Sequence, residues 1–156
     1  MKIVLEIRNE SQHKRLYRRA DLTDLAERIC SRELSPADID AVEVSLLFCD
    51  DGFMAELNEQ YRGKRGPTDV LSFEQDGPDV GKIRLLGDII VSLETVDARC
   101  AGDRAAMRDE VRLLFCHGML HLLGYDHGTR AEEEEMIAKQ AQYLDVEPEA
   151  AWQSGR

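Results

Sequence analysis

Positive charge is in deficit along this chain: 20 lysines and arginines stand against 31 aspartates and glutamates, a formal net charge of −11 at pH 7. A protein so acidic does not coat nucleic acid or anionic lipid by bulk attraction, so any polyanion partner must be met by a local patch. Long apolar runs are missing as well. No window approaches the roughly 18 to 20 uninterrupted apolar residues of a membrane-spanning helix. Met1 to Arg8 alternates apolar and polar residues, with charges where a signal peptide needs an unbroken apolar stretch, so it reads as a strand. Cys30, Cys49, Cys100 and Cys116 include no CxxC pair, which argues against a thioredoxin-like site or a zinc ribbon. They read as reduced, mostly buried thiols of a cytoplasmic protein. No internal repeat or linker stands out. The run Glu132-Glu133-Glu134-Glu135 reads as a solvated first helical turn favoured by the helix dipole.

What remains is an ordinary foldable composition. With 156 residues, 43% hydrophobic and 33% charged, the chain fits one domain, residues 1–156, with apolar content enough to exclude wholesale disorder. An amphipathic helix is expected from about Lys14 to Glu33, then a strand over Val42–Cys49. Asp50 or Asp51 is placed to cap a short helix carrying Met54 and Leu57, which the stretch Gly63 to Pro67 stops. Val70–Phe73 reads as a short strand, Gly77-Pro78 with Gly81 as a turn region, and Leu85–Val91 as a fourth strand. Ser92 caps a helix to about Ala101, and a longer helix follows to about Leu123, with Gly124 as its stop. Thr129 and Glu132 have the form of a capping box, opening a last helix with Met136, Ile137, Gln140 and Leu144 on its inner face. The tail from about Pro148 is expected to fray. Four strands among about five helices give an α/β (α+β) domain.

Three of the four histidines fall within eleven residues, as His117, His121 and His127. The first two are four apart on a helix, offset by about 40° and about 6 Å along the axis, so both imidazoles can address one ion. On a continuing helix His127 would be turned about 240° from His121 and could not join them. Gly124 resolves this, since a residue without Cβ accepts the left-handed backbone that reverses the chain. The HxxxHxxGxxH spacing therefore predicts a metal site, and imidazole donors suit Zn²⁺ first, one per chain. Three ligands leave a fourth position open, as in catalytic rather than structural zinc sites, and Cys116 points about 100° away from His117. The metzincin motif HExxHxxGxxH carries its general base after the first histidine. Position 118 is glycine here, so peptidase activity is the weaker reading and phosphoryl chemistry, largely positioning and electrostatics, the better one.

These residues resemble the YbeY family of bacterial metal-dependent endoribonucleases. Its signature HGxLHLxGYDH is similar to His117 through His127. A second, close to LNxxYRxxxxPTDVLSF, is similar to Leu57-Asn58, Tyr61-Arg62 and Pro67 through Phe73, and Leu86-Gly87-Asp88-Ile89 fits a third. Arg65-Gly66 departs from the acidic residue that many members have before the proline. The resemblance implies a mixed four-stranded sheet packed with helices and a zinc ion on His117, His121 and His127. It further implies cleavage of single-stranded RNA in 16S rRNA 3′-end maturation and ribosome quality control. Small-subunit particles and assembly factors would be its partners, with neither membrane nor DNA. Arg62 would be the functional arginine, catalytic together with His117.

Arg62 also has a chemical role independent of family, because a guanidinium forks onto two phosphate oxygens. Lys64 and Arg65, and on the first helix Lys14, Arg15, Arg18 and Arg19, could add a local RNA track, or be simply solvated. Thr68, Asp69 and Asp88 could line the cleft or orient ligands, and Asp could equally cap local backbone. Tyr125 and Asp126 could support the turn or touch substrate. The rival from another class is a ribosome-assembly factor in which zinc only braces the Gly124 turn.

Overall fold

Every second residue of the segment Ala41–Cys49 turns inward: Val42, Val44, Leu46 and Phe48 are buried while Glu43 is exposed. That period of two makes it a strand with one face in the core. In the computed structural model, which describes residues 1–75 and 79–151, it is the second strand of a four-stranded sheet. The strands are β1 (Lys2–Asn9), β2 (Ala41–Cys49), β3 (Val70–Glu74) and β4 (Ile83–Ser92), in the order β1-β2-β4-β3. β1 and β4 run parallel to β2, and β3 runs antiparallel to β4, so the sheet is mixed. A bulge breaks the β2–β4 register between Glu43 and Val44, and Gly87 sits there at φ +137°. A Cβ at Gly87 would stand 2.0 Å from the Phe73 carbonyl oxygen, so only glycine lets β3 close against β4.

Six α-helices are found among the described residues: α1 (Arg19–Glu33), α2 (Asp51–Arg62), α3 (Leu93–Cys100), α4 (Arg104–Leu122), α5 (Arg130–Leu144) and α6 (Pro148–Ala151). α4 is the axis of the single domain, packing on α1, α3 and α5 and on the β3–β4 pair. From Leu113 to Leu120 all its residues are buried. Gly118 permits the approach: a Cβ there would meet Ile89 Cγ2 of β4 at 2.8 Å. Phe48 and Phe115 are fully buried in this core, each contributing about 1.5–3 kcal/mol. Ser92, Asp103 and Thr129 cap α3, α4 and α5 through side-chain oxygens.

Four expectations need correction or completion. α1 begins at Arg19, not near Lys14, because Asn9 and Ser11 tie residues 9–13 into a loop through side-chain bonds and Arg15 takes φ +62°. Leu16 is buried all the same. Asp50 occupies the N-cap of α2 but makes no cap bond, accepting instead from the Gln12 N–H at 3.1 Å. Fraying does not set in at Pro148: α6 makes a sixth helix, Ala151 is buried, and its carbonyl accepts from Gln140. The rest of the expected frayed tail, residues 152–156, lies outside the described residues. The turn expected at Gly77-Pro78 lies outside the described residues. Among the described residues no helix is long and apolar enough to cross a membrane.

Candidate metal centre and active site

α4 presents His117 and His121 on one face and then stops in a reversal of the Schellman type. The Tyr125 N–H donates to the Leu120 carbonyl and the Gly124 N–H to the His121 carbonyl, each at 3.0 Å, with Gly124 at φ +101°. The returning chain sets His127 beside the other two. Ring centroids are 4.5 Å apart for His117–His121, 4.9 Å for His121–His127 and 5.3 Å for His117–His127. One ring nitrogen from each lies within 4.8 Å of the others, a grouping that could hold a metal ion. The cluster is graded in depth, with His117 buried, His121 half-buried and His127 exposed. His13, the fourth histidine, is elsewhere and pairs with Asp97 at 2.9 Å.

The deepest ring is fixed in one tautomer. Gln140, fully buried, donates its amide N–H to the Ala151 carbonyl at 2.6 Å, which leaves its Oε1 to face His117 Nδ1 at 2.7 Å. An oxygen acceptor there requires the hydrogen on Nδ1, so the Nε2 lone pair of His117 faces its neighbours. His121 Nε2 stands 3.1 Å from that atom. Burial, and then the neighbouring His121 and His127, push the His117 pKa down to about 3 against a pull upward from Gln140. Burial and His127 likewise lower His121, with Arg62 contributing. Rings kept neutral by their surroundings are lone-pair donors, the form that a cation needs. The donor chemistry thus fits a divalent transition metal.

The histidines open into a cleft of about 660 Å³ whose other wall carries Arg62, Lys64 and Arg65. Arg62 is the last residue of α2, exposed, and Gly63 at φ +66° turns the chain away behind it. Thr68, Asp69 and Asp126 also line the cleft. Asp69 is buried and held by Arg99, whose guanidinium donates to Asp69 at 2.8 Å and to buried Glu110 at 3.1 Å. Asp126 accepts from the His127 N–H at 2.7 Å. Two groups of sequence candidates are elsewhere. Asp88 accepts from Ser45 in a separate hollow of the sheet. Arg15 and Arg18 line a different cleft from the one that holds the histidines.

Sequence reading missed the supports. Gln140 counted only as an inner-face residue, and Glu33 was not singled out. Glu33, at the end of α1, accepts from Tyr125 at 2.7 Å and pairs with Lys139 at 3.1 Å, tying the His127 turn to two helices. The polarity of Gln140 on an otherwise apolar stripe was the one available signal. Position 118, where a metzincin has its glutamate, faces Ile89 in the core. A side chain there would have to displace Ile89, whose Cγ2 stands 2.8 Å from the position its Cβ would take.

Comparison with known proteins agrees with this geometry. The family model described as "Endoribonuclease YbeY" matches residues 6–146. A Salinispora tropica protein named Endoribonuclease YbeY is 37% identical over 97% of this chain and 98% of its own length. A Sulfurihydrogenibium protein of the same name is 43% identical, covering 74% of each chain. A solution structure from Thermotoga maritima superposes with a TM-score of 0.60 at 30% identity, over 96% of this chain and 89% of that one.

Proposed function

Since this chain belongs to the YbeY family, we propose that it is a zinc-dependent, single-strand-specific endoribonuclease. We place its work in the cytoplasm, in 16S rRNA 3′-end maturation and ribosome quality control, with small-subunit particles and assembly factors as partners. The observation that carries the reading is the meeting, in one cleft, of three imidazoles kept neutral or near the surface with the guanidinium of Arg62. His117, His121 and His127 would hold the ion, and three neutral nitrogens suit zinc. When bound, such an ion supplies Lewis-acid stabilisation of charge on a phosphoryl group.

The remaining chemistry belongs to the protein. Arg62 forks onto the phosphate oxygens of the scissile link and holds it against the histidines, stabilising charge as it develops. Lys64 and Arg65, both exposed, hold the neighbouring backbone phosphates by an attraction that salt weakens. Gln140 keeps the His117 ring turned with Nε2 toward the cleft. The charge pattern favours this reading over a peptidase, because position 118 carries no glutamate beside His117. Of the acids that line the cleft with Arg62, Lys64 and Arg65, Asp69 is engaged by Arg99 and Asp126 by the His127 N–H, leaving Glu74.

The test compares His121→Ala with the parent chain. A folded variant that loses zinc and rRNA processing, yet still binds small-subunit particles, supports the enzyme. Unchanged processing in a zinc-free variant supports the assembly-factor reading instead.

A further inference from the structure

A second cleft, of about 610 Å³, opens where the loop before α1 meets the first half of α4. Four arginines, Arg15, Arg18, Arg108 and Arg112, line it against one acid, Asp21. In a chain of net charge −11 that concentration of one sign is costly through self-repulsion, and a cleft focuses the field it makes. Part of the set is structural. Arg112 pairs with Asp21 at 2.8 Å, Arg108 donates to the Arg15 carbonyl at 3.3 Å, and Arg104 beside them donates to the Lys14 carbonyl. These bonds pin the loop and leave most of each guanidinium's five donors unused. Arg15 and Arg18 are exposed, and their side chains have no hydrogen bond or ion pair among the described residues. Pinning the loop therefore does not explain them.

The floor argues for the ligand. Leu16 and Leu22 are buried beneath the arginines. The large exposed apolar residues, Phe53, Tyr61, Val80 and Val146 among the described residues, lie outside this cleft. Tyr17, half-buried, also lines the cleft and is stacked on Phe48 at 4.9 Å. The apolar groups here are thus held by the core and the forked cations are what stand free, which suits a phosphate backbone rather than insertion into lipid. The two clefts share no lining residue. Along α4, Arg108 and His121 are about 20 Å apart and turned to different sides.

We propose that this arginine cleft is a docking site for the phosphate backbone of RNA, distinct from the histidine cleft. It engages a part of a folded RNA other than the strand being cut. The proposal rests on the nuclease reading for its choice of polyanion. The test is a double reversal, Arg15→Glu with Arg18→Glu, which removes no structural bond; a melting curve checks the fold. Binding is measured on a His121→Ala background so that RNA stays intact, with a folded ribosomal RNA fragment, a short single-stranded oligonucleotide and vesicles of anionic phospholipid as probes. The reversal should weaken the folded fragment about tenfold at low salt and make the slope of log K against log[salt] shallower by about two. With His121 restored, cleavage of the oligonucleotide should keep its rate. Unchanged affinity and slope would overturn the proposal. So would equal losses for both RNA probes, which would merge the clefts, or a loss seen only with vesicles of anionic phospholipid. If the parent chain cuts neither RNA, the nuclease reading fails, while the binding data still decide the docking site.

Discussion

The two poles of the histidine cleft are held in opposite ways. At the buried pole, His117 is fixed by packing: Gly118 lies against Ile89, Gln140 fixes the ring, and Asp69 is clamped by Arg99. At the open pole, Arg62, Lys64, Arg65 and His127 are exposed. The difference divides the labour. Burial removes protons and motion, which makes a lone-pair donor, whereas a phosphate-binding cation must keep its charge and so must stay near water. Changes at the buried pole should cost stability or metal, and changes to the basic side chains of the open pole should cost only turnover. A change at His127, exposed but grouped with the other two histidines, should cost metal.

The largest effect is expected from Gly118→Glu, which would restore the metzincin pattern. The Cβ alone collides with Ile89, and the carboxylate would be buried without a partner. Denaturant unfolding should show a loss of more than about 3 kcal/mol and no peptidase activity gained. A variant that stays stable and cleaves peptide would erase the distinction between the poles.

Arg62→Ala tests the open pole. Stability and zinc content should be unchanged, while single-turnover RNA cleavage falls by about 10²- to 10³-fold, the range for losing one preorganised charge-stabilising donor. Arg62→Lys should recover only part of it, because an ammonium cannot fork. Loss of zinc in either variant would place Arg62 with the buried pole.

Next in size is Gln140→Leu. It fills the same space but frees the His117 tautomer and orphans the Ala151 carbonyl. Zinc affinity, measured by competition with a chelator, should fall by about 10- to 100-fold, with about 1–3 kcal/mol of stability lost. RNA binding by the zinc-free protein should not move.

The same division explains what could be read from sequence. The histidine turn was legible because its parts are close together: two histidines share a helical face, and Gly124 marks the reversal that brings the third beside them. β2 and the capped helices α3 to α5 were legible from period and cap residues. What escaped depends on distant partners. Gln140 acquires its meaning from a ring 23 residues away, and Glu33 from a tyrosine 92 residues away. The start of α1 escaped because Arg15 takes φ +62°, where a helix cannot run, just after a loop that Asn9 and Ser11 tie together. Asp88 is excluded only once the structure shows that Ile89 faces Gly118 on α4, since adjacent strand residues point to opposite faces. Arg15 and Arg18 shared a charge with Arg62 but not a cleft, since like charge says nothing of position.

The smallest effect is expected where the two poles are joined. Glu33 accepts from Tyr125 and Tyr143 and pairs with Lys139, so it ties the exposed turn to the packed helices. Burial by itself would raise its pKa, but the bonds from Tyr143, Tyr125 and Lys139 outweigh that and hold it below the usual carboxylate value. A carboxylate with a depressed folded pKa stabilises the fold above its unfolded pKa, about 4.3, and loses that contribution as pH falls through the folded value. Glu33→Gln should therefore cost about 1 kcal/mol near neutral pH. The gap between parent and variant should close as denaturation is repeated below about pH 4. Zinc affinity should change less than in Gln140→Leu, because Tyr125 steadies His127 only through the intervening turn. A gap that stays constant down to low pH would mean that Glu33 contributes packing alone, and that the exposed pole depends on the Gly124 reversal for its position.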